Sequence, residues 1–291
     1  MKKIFRMLIV AMCVVTFGLS LAGCGEKSFD DVPWGSSELA SSQVLTSLAD
    51  ARKNMEDAKL QAKYKATTTY KFFDTGEFTN MQVREESVFL FQYGTKDSNA
   101  MIETSKYIDN VLKEKTTDIY VVNGATSIVY RTRVTYIDGV EQSPTKTKFN
   151  ASPSIYPQNI YTKFIFIQQN SLSGVLYKNY DEVDYYRLSA NSTECNTLMT
   201  EFKEASDLQS NPRMFALNNK STDLLMGYNV EYGISSKNYI THFALSYHLE
   251  NNQKASQNSF ETFLNFSTTV DLEQYGIGVE FPQRPNDRDY N

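Results

Sequence analysis

Three features of this 291-residue chain predict an α+β fold rich in strands, with a curved antiparallel sheet wrapped around a few helices. Apolar and polar residues alternate one by one over long stretches of both halves, the period of a strand with one face in water. Apolar residues fall at helical spacing in only a few short segments. Nineteen Tyr and eighteen Phe against one Trp supply side chains that suit a pleated, half-buried surface.

The first element is of another kind. Lys2, Lys3 and Arg6 precede an uncharged, mostly apolar stretch from Met7 to Leu21, and small residues follow, the three parts of an export signal. Leu21-Ala22-Gly23-Cys24 closes the stretch and resembles a bacterial lipoprotein signal. That resemblance implies a diacylglyceryl group on Cys24 and cleavage between Gly23 and Cys24. The mature protein is then anchored by lipid at the extracytoplasmic face of a cell membrane. An uncleaved anchor helix needs about 20 apolar residues, longer than this run, and no second apolar run follows. Losing 23 of the 291 residues leaves 268, and losing three cations moves the formal charge from −5 to about −8. Nucleic acid and anionic lipid surfaces require clustered Lys and Arg, so neither is an expected partner. Cys13 leaves with the signal and Cys24 carries lipid, so Cys195 is the remaining thiol and no intramolecular disulfide forms. The body must be held by its core.

Residues 24–37 read as the lipidated cysteine and a short tether, reaching at most about 45 Å fully stretched. Pro33-Trp34-Gly35 interrupts it with the sole tryptophan, either a staple docking the tether on the body or a ligand contact. Residues 38–283 read as one domain, with 140–160 as its one candidate seam, and 284–291 as a polar, frayed tail.

A helix is predicted over 37–59, where Val44, Leu48, Ala51, Met55 and Ala58 recur at steps of four and three. Then the period becomes two. Tyr64, Ala66, Thr68, Tyr70 and Phe72 oppose Lys63, Lys65 and Lys71, and the pattern returns at Phe89, Phe91, Tyr93 and from Ile128 to Tyr136. Asn123-Gly124 and Asp138-Gly139 are hairpin-turn signals. Ile160–Gln169 fits a short helix or a buried strand, with helix favoured. Cys195, Leu198, Met199 and Phe202 mark a second helix over 193–206, capped by Asn191 or Ser192, with the cysteine on its apolar face. Alternating runs over 224–232, 239–249 and 260–270, then a short strand at Ile277–Phe281, complete the body.

Chemistry is sparse. His242 and His248 are about 20 Å apart along one strand, too far to share a metal. No Gly-x-Ser-x-Gly elbow, Gly-rich phosphate loop or calcium-loop spacing occurs. Asp181, Glu182 and Asp184 read as an acidic surface turn. No catalytic residue, metal ligand or cofactor is therefore assigned, and the chain is not expected to be an enzyme. The aromatic surplus is either the core of a large sheet or, where the curve leaves part of it open, the wall of a cavity for an apolar ligand.

One helix, an antiparallel meander, inserted helices and long closing strands ending in Gly276-Ile-Gly-Val-Glu-Phe-Pro282 resemble the lipoprotein-carrier half-barrel family, LolA and the LppX-type lipoproteins. The resemblance covers roughly residues 38–283 and rests on element order, so no binding residue carries over. It implies a half-barrel whose curved sheet wraps helices and forms a hydrophobic pocket. The expected function is an envelope lipoprotein binding an apolar ligand, a lipid among the candidates. Phe243 and Leu245 are candidate lining residues because 239–249 alternates most cleanly. The alternative is a surface interaction module that holds another envelope protein or a glycan, with no small-molecule ligand. No particular protein partner is legible.

Overall fold

The structure, a computed structural model, describes residues 28–74, 79–94, 100–123, 126–151, 172, 174–204, 223–253 and 260–291. The lipoprotein signal, Cys24 and the segment 160–169 lie outside the described residues. Contacts divide the chain into Met1–Pro33 and Trp34–Asn291. In the first unit the described part is a single 3₁₀ turn, Phe29–Asp31.

The second unit begins with β1 (Gly35–Ser36) and α1 (Ser41–Asp57). Gln43 Oε1 accepts the Ala40 N–H at 2.8 Å and caps α1 at its start. Val44, Leu48, Ala51 and Met55 are fully buried on one face, as their spacing predicts. The wet face carries the i,i+4 pairs Arg52–Glu56 and Lys53–Asp57. Beyond α1 the chain turns through Lys59 at φ 48°. Gly94 sits against this turn, where a Cβ would fall 2.3 Å from the Glu56 carbonyl oxygen, so only glycine fits.

Long strands then follow as a meander: β2 (Gln61–Asp74), β3 (Thr79–Gln92), β4 (Ala100–Ile108), β5 (Val111–Asn123) and β6 (Thr126–Ile137). The short strands β7 (Val140–Glu141) and β8 (Thr145–Ala151) both pair with β6. Strand β8 thus occupies part of the stretch read as a seam. A second arm holds β9 (Gly174–Tyr180), β10 (Val183–Ser189), α2 (Ser192–Glu204), β11 (Asp223–Ser235), β12 (Ile240–Gln253) and β13 (Phe260–Tyr275). Strands β4, β8, β9 and β10 stand where the alternation of the sequence predicts no strand. Asp138-Gly139 forms a left-handed turn as expected, and Asp109-Asn110 and Asp181-Glu182 form turns of the same kind, with both residues at positive φ.

These strands make one curved, unclosed sheet in the order β1-β9-β10-β11-β12-β13-β2-β3-β4-β5-β6-β7, with every pairing antiparallel. It is a half-barrel in an α+β fold, and the two arms meet where β13 pairs with β2 along nearly its whole length. One face, here the inner face, packs on α1 and α2 in a single core cluster. Met55 Sδ accepts the Ile240 N–H at 3.3 Å, which seats α1 on β12. Cys195 and Leu198 of α2 join the same cluster at 1% and 0% exposure. The side chains of Met199 and Phe202 lie outside the described residues.

Two expectations at the C-terminus are overturned. Residues 277–281 are not a strand: Ile277 is fully exposed, and the chain turns at Gly276 (φ 86°) with Val279 N–H donating back to its carbonyl. Both sides of β13 are already paired, so no sheet edge is there to receive them. The polar tail is docked rather than frayed. Asn291 exchanges backbone hydrogen bonds with Lys146 and Lys148, the Tyr290 ring packs edge-on against Tyr130 at 5.2 Å, and the Tyr130 hydroxyl donates to Asp287. Tyr130 is fully buried yet outside the main cluster, because the tail covers it on the outer face.

Candidate functional site

Strand parity gives the inner face two regimes. Across β10–β12 it is filled: Tyr186, Leu188, Val230, Tyr232, Phe243 and Leu245 are 0–8% exposed. Phe243 and Leu245, the candidate lining residues, both stand in this cluster, with the Phe243 ring 5.6 Å from Tyr232.

Burial fades along the rows that run from β12 toward β5. One row pairs Tyr247, Phe266, Tyr70, Val83, Ile108 and Val111 in register. The Tyr247 and Phe266 rings stack at 4.6 Å, and Tyr70 meets Phe266 edge-on at 5.2 Å. Tyr247 and Phe266 are buried; Tyr70, Val83 and Ile108 are half-buried; Val111 is 45% exposed, and Met81, one step further along β3, is 40% exposed. An apolar ramp thus leads out of the core onto the open part of the sheet. Beside it runs a polar row, Thr268, Thr68, Glu85, Lys106 and Glu114, with the Thr68 and Thr268 hydroxyls 2.8 Å apart. Further along the inner face the Arg131 guanidinium makes two 2.7 Å hydrogen bonds to Asp118, whose side chain is 1% exposed. The pair holds Arg131 above its ordinary pKa.

The outer face is covered at two flanks. Over β9 and β10 the Trp34 ring lies between Lys178 and Arg187, at 4.6 and 4.2 Å. The tryptophan is therefore a staple on the body, held in part by cation–π contacts. Over β6 and β8 lies the C-terminal tail. Between the flanks, β11, β12, β13 and β2 carry a groove of about 390 Å³ lined by Thr69, Lys71, Gly227, Asn229, Ser246, His248, Asn265 and Ser267 among others.

His248 Nδ1 is 2.6 Å from Asn265 Oδ1, and His242 Nδ1 is 2.6 Å from Asp271 Oδ1. Both contacts cross between β12 and β13, so spacing along the sequence carries no sign of them. Among the described residues no group of three or more His, Cys, Asp or Glu is placed to hold a metal. The acidic turn is engaged internally: Asp184 accepts from Tyr177 and Asn179 at 2.7 Å each, and that bond pushes the Tyr177 hydroxyl up to about 12. Burial pushes the Cys195 thiol up, as for a core cysteine.

No family model and no curated protein matches the chain. Among solved structures, lipovitellin, in a study of its lipid–protein interactions, is similar at TM-score 0.35 and 8% identity over 78% of this chain and 26% of its own. A β-barrel-like protein of a domain of unknown function from Brucella abortus is similar at TM-score 0.25 and 7% identity, over 74% and 98%. The chain spans about a quarter of lipovitellin's length.

Proposed function

We propose that this protein is a lipid-anchored protein of the extracytoplasmic envelope that holds an apolar ligand against the inner face of its open sheet, and that it is not an enzyme. The row Tyr247–Phe266–Tyr70–Val83–Ile108–Val111 carries the reading, because it is continuous with the core yet runs out into partial exposure. An acyl chain laid along it covers apolar surface that the helices leave open, at about 25 cal/mol per Å² removed from water. The neighbouring Thr68–Glu85–Lys106 row meets the polar end of an amphiphile. Phe243 and Leu245 are in this reading the packed wall behind the ligand. The anchor on Cys24 keeps the open sheet near the bilayer that supplies it.

The test is photo-crosslinking of the full chain in membranes with a diazirine-bearing fatty acid, followed by peptide mapping. Adducts are expected at residues 70, 81–83 and 108–111, and Val83→Arg should remove them while leaving the melting temperature within a few degrees. Labelling confined to the N-terminal segment, or unchanged by Val83→Arg, overturns the reading. Cys24→Ser is expected to leave the precursor uncut or release it from membrane, and normal processing with unchanged fractionation overturns the anchor.

A further inference from the structure

The outer-face groove is built by two local devices. Strand β11 bulges between Leu225 and Gly227, so Met226 is the extra residue and stands out at 57% exposure. The next residue, Gly227, has no side chain, and a Cβ placed there would meet nothing within 4 Å. Glycine in a strand interior marks close approach of backbone or ligand. Here no described backbone approaches, which leaves space over it.

Around that space four adjacent strands present short polar groups. The row Asn229–Ser246–Ser267–Thr69 lies beside the row Gly227–His248–Asn265–Lys71. Three hydroxyls, two amides and an imidazole converge, at the roughly 4.8 Å spacing of neighbouring strands; of these, Asn229 Oδ1 accepts from Ser189 Oγ at 2.7 Å and Asn265 Oδ1 lies 2.6 Å from His248 Nδ1. Lys71 is exposed, is the one lysine or arginine in the lining, and makes no ion pair among the described residues. No carboxylate lines the groove. Its volume of about 390 Å³ is within the roughly 300–1,000 Å³ typical of small-molecule sites, and the outer-face side chains that line it are polar, with Tyr247 and Phe266 also bordering the space. A ligand matched to it offers many hydroxyls and one negative charge.

We propose that this groove binds an acidic glycan, with sugar hydroxyls on Asn229, Ser246, Ser267, Thr69 and Asn265 and the ligand's carboxylate or phosphate on Lys71. The site lies on the opposite face from the apolar ramp and does not depend on it.

The full chain, held in a sugar-free zwitterionic detergent, is titrated with a uronic-acid oligosaccharide, a neutral oligosaccharide of equal length and inorganic phosphate. The ring signals of ¹³C-labelled histidine are the readout, and a His242→Gln variant separates the two. Saturable movement of the His248 signal is expected with the acidic sugar. Lys71→Gln should weaken that binding at least tenfold while leaving neutral-sugar binding within twofold. Gly227→Leu, which fills open space, should abolish both without altering the melting temperature. Absence of saturable binding, equal binding of phosphate alone, or indifference to Gly227→Leu would each overturn the proposal.

Discussion

The Asp118–Arg131 pair allows a test in which the structure predicts the order as well as the size of the effects. The carboxylate is 1% exposed and the guanidinium 27% exposed, so one partner reaches water and the other does not. Removing a member of a buried pair costs about 3–5 kcal/mol because a charge stays behind without its opposite. Arg131→Met strips the guanidinium from a fully buried carboxylate and should cost near that full range. Asp118→Leu leaves a cation that can still turn toward solvent and keep its 5.1 Å contact over the Phe149 ring. It should cost about 1–3 kcal/mol, the range of charged hydrogen bonds lost at a partly wet site. The double variant replaces both charges with apolar groups and should return most of the loss. Urea unfolding followed by circular dichroism, with the m-value held constant across the set, gives all three numbers. If Asp118→Leu costs more than Arg131→Met, or if the two losses simply add, the buried pair does not act as described.

Phe243→Ala should cost about 3–5 kcal/mol, the range for a buried Phe in a filled core; a loss below about 1 kcal/mol would show that the site beside it is already open. Cys195 should resist a thiol reagent in the native protein and react on unfolding, because it is buried and its thiol is pushed up; rapid native labelling would contradict this. The Tyr130 hydrogen bond, with help from Arg284, holds Asp287 below its ordinary pKa. A depressed carboxylate contributes to docking above its unfolded pKa of about 3.9 and loses that contribution as pH falls through the folded value. Hydrogen exchange over residues 284–291 should therefore rise on acidification below about pH 4, beyond the intrinsic pH dependence, and Asp287→Asn should flatten the response; an equal response in that variant would assign docking to other contacts.

What the sequence reveals here follows from the range of each signal. The buried face of α1 is legible because four residues at helical spacing need no partner to be recognised. The long strands β11–β13 are legible for the same reason with period two. Strand Thr145–Ala151 was missed because it is mostly polar, and Gly174–Ser189 because its turn, Asp181-Glu182, lacks the Asn-Gly or Asp-Gly signature. Ile277–Phe281 has the alternation of a strand, but both sides of β13, which it follows, are already paired. Contacts that cross strands, such as His242 with Asp271 and Asp118 with Arg131, depend on register. Register cannot be read from one strand alone. The groove did leave one sign, Gly227 inside an otherwise alternating run, but what stands across from it is decided by β12 and β13.

Both proposed sites depend on a single register. Phe266 and Ser267 are neighbours in β13, one facing the apolar ramp and the other the polar groove, and they pair with Tyr70 and Thr69 in β2. Because side chains alternate between faces, a slip of one residue along this seam would carry the hydroxyls inward and the aromatic rings into water. The seam resists such a slip through contacts of both kinds. The Thr68–Thr268 hydroxyl pair is buried on the inner side, where a shifted partner would leave polar atoms unsatisfied. On the other face, Lys63 meets Glu273 at 2.8 Å and lowers that carboxyl's pKa. The buried hydroxyl pair is the stronger constraint, since an ion pair this exposed contributes at most about 1 kcal/mol. The last strand of the chain, laid against the first long one, thus fixes the two faces together.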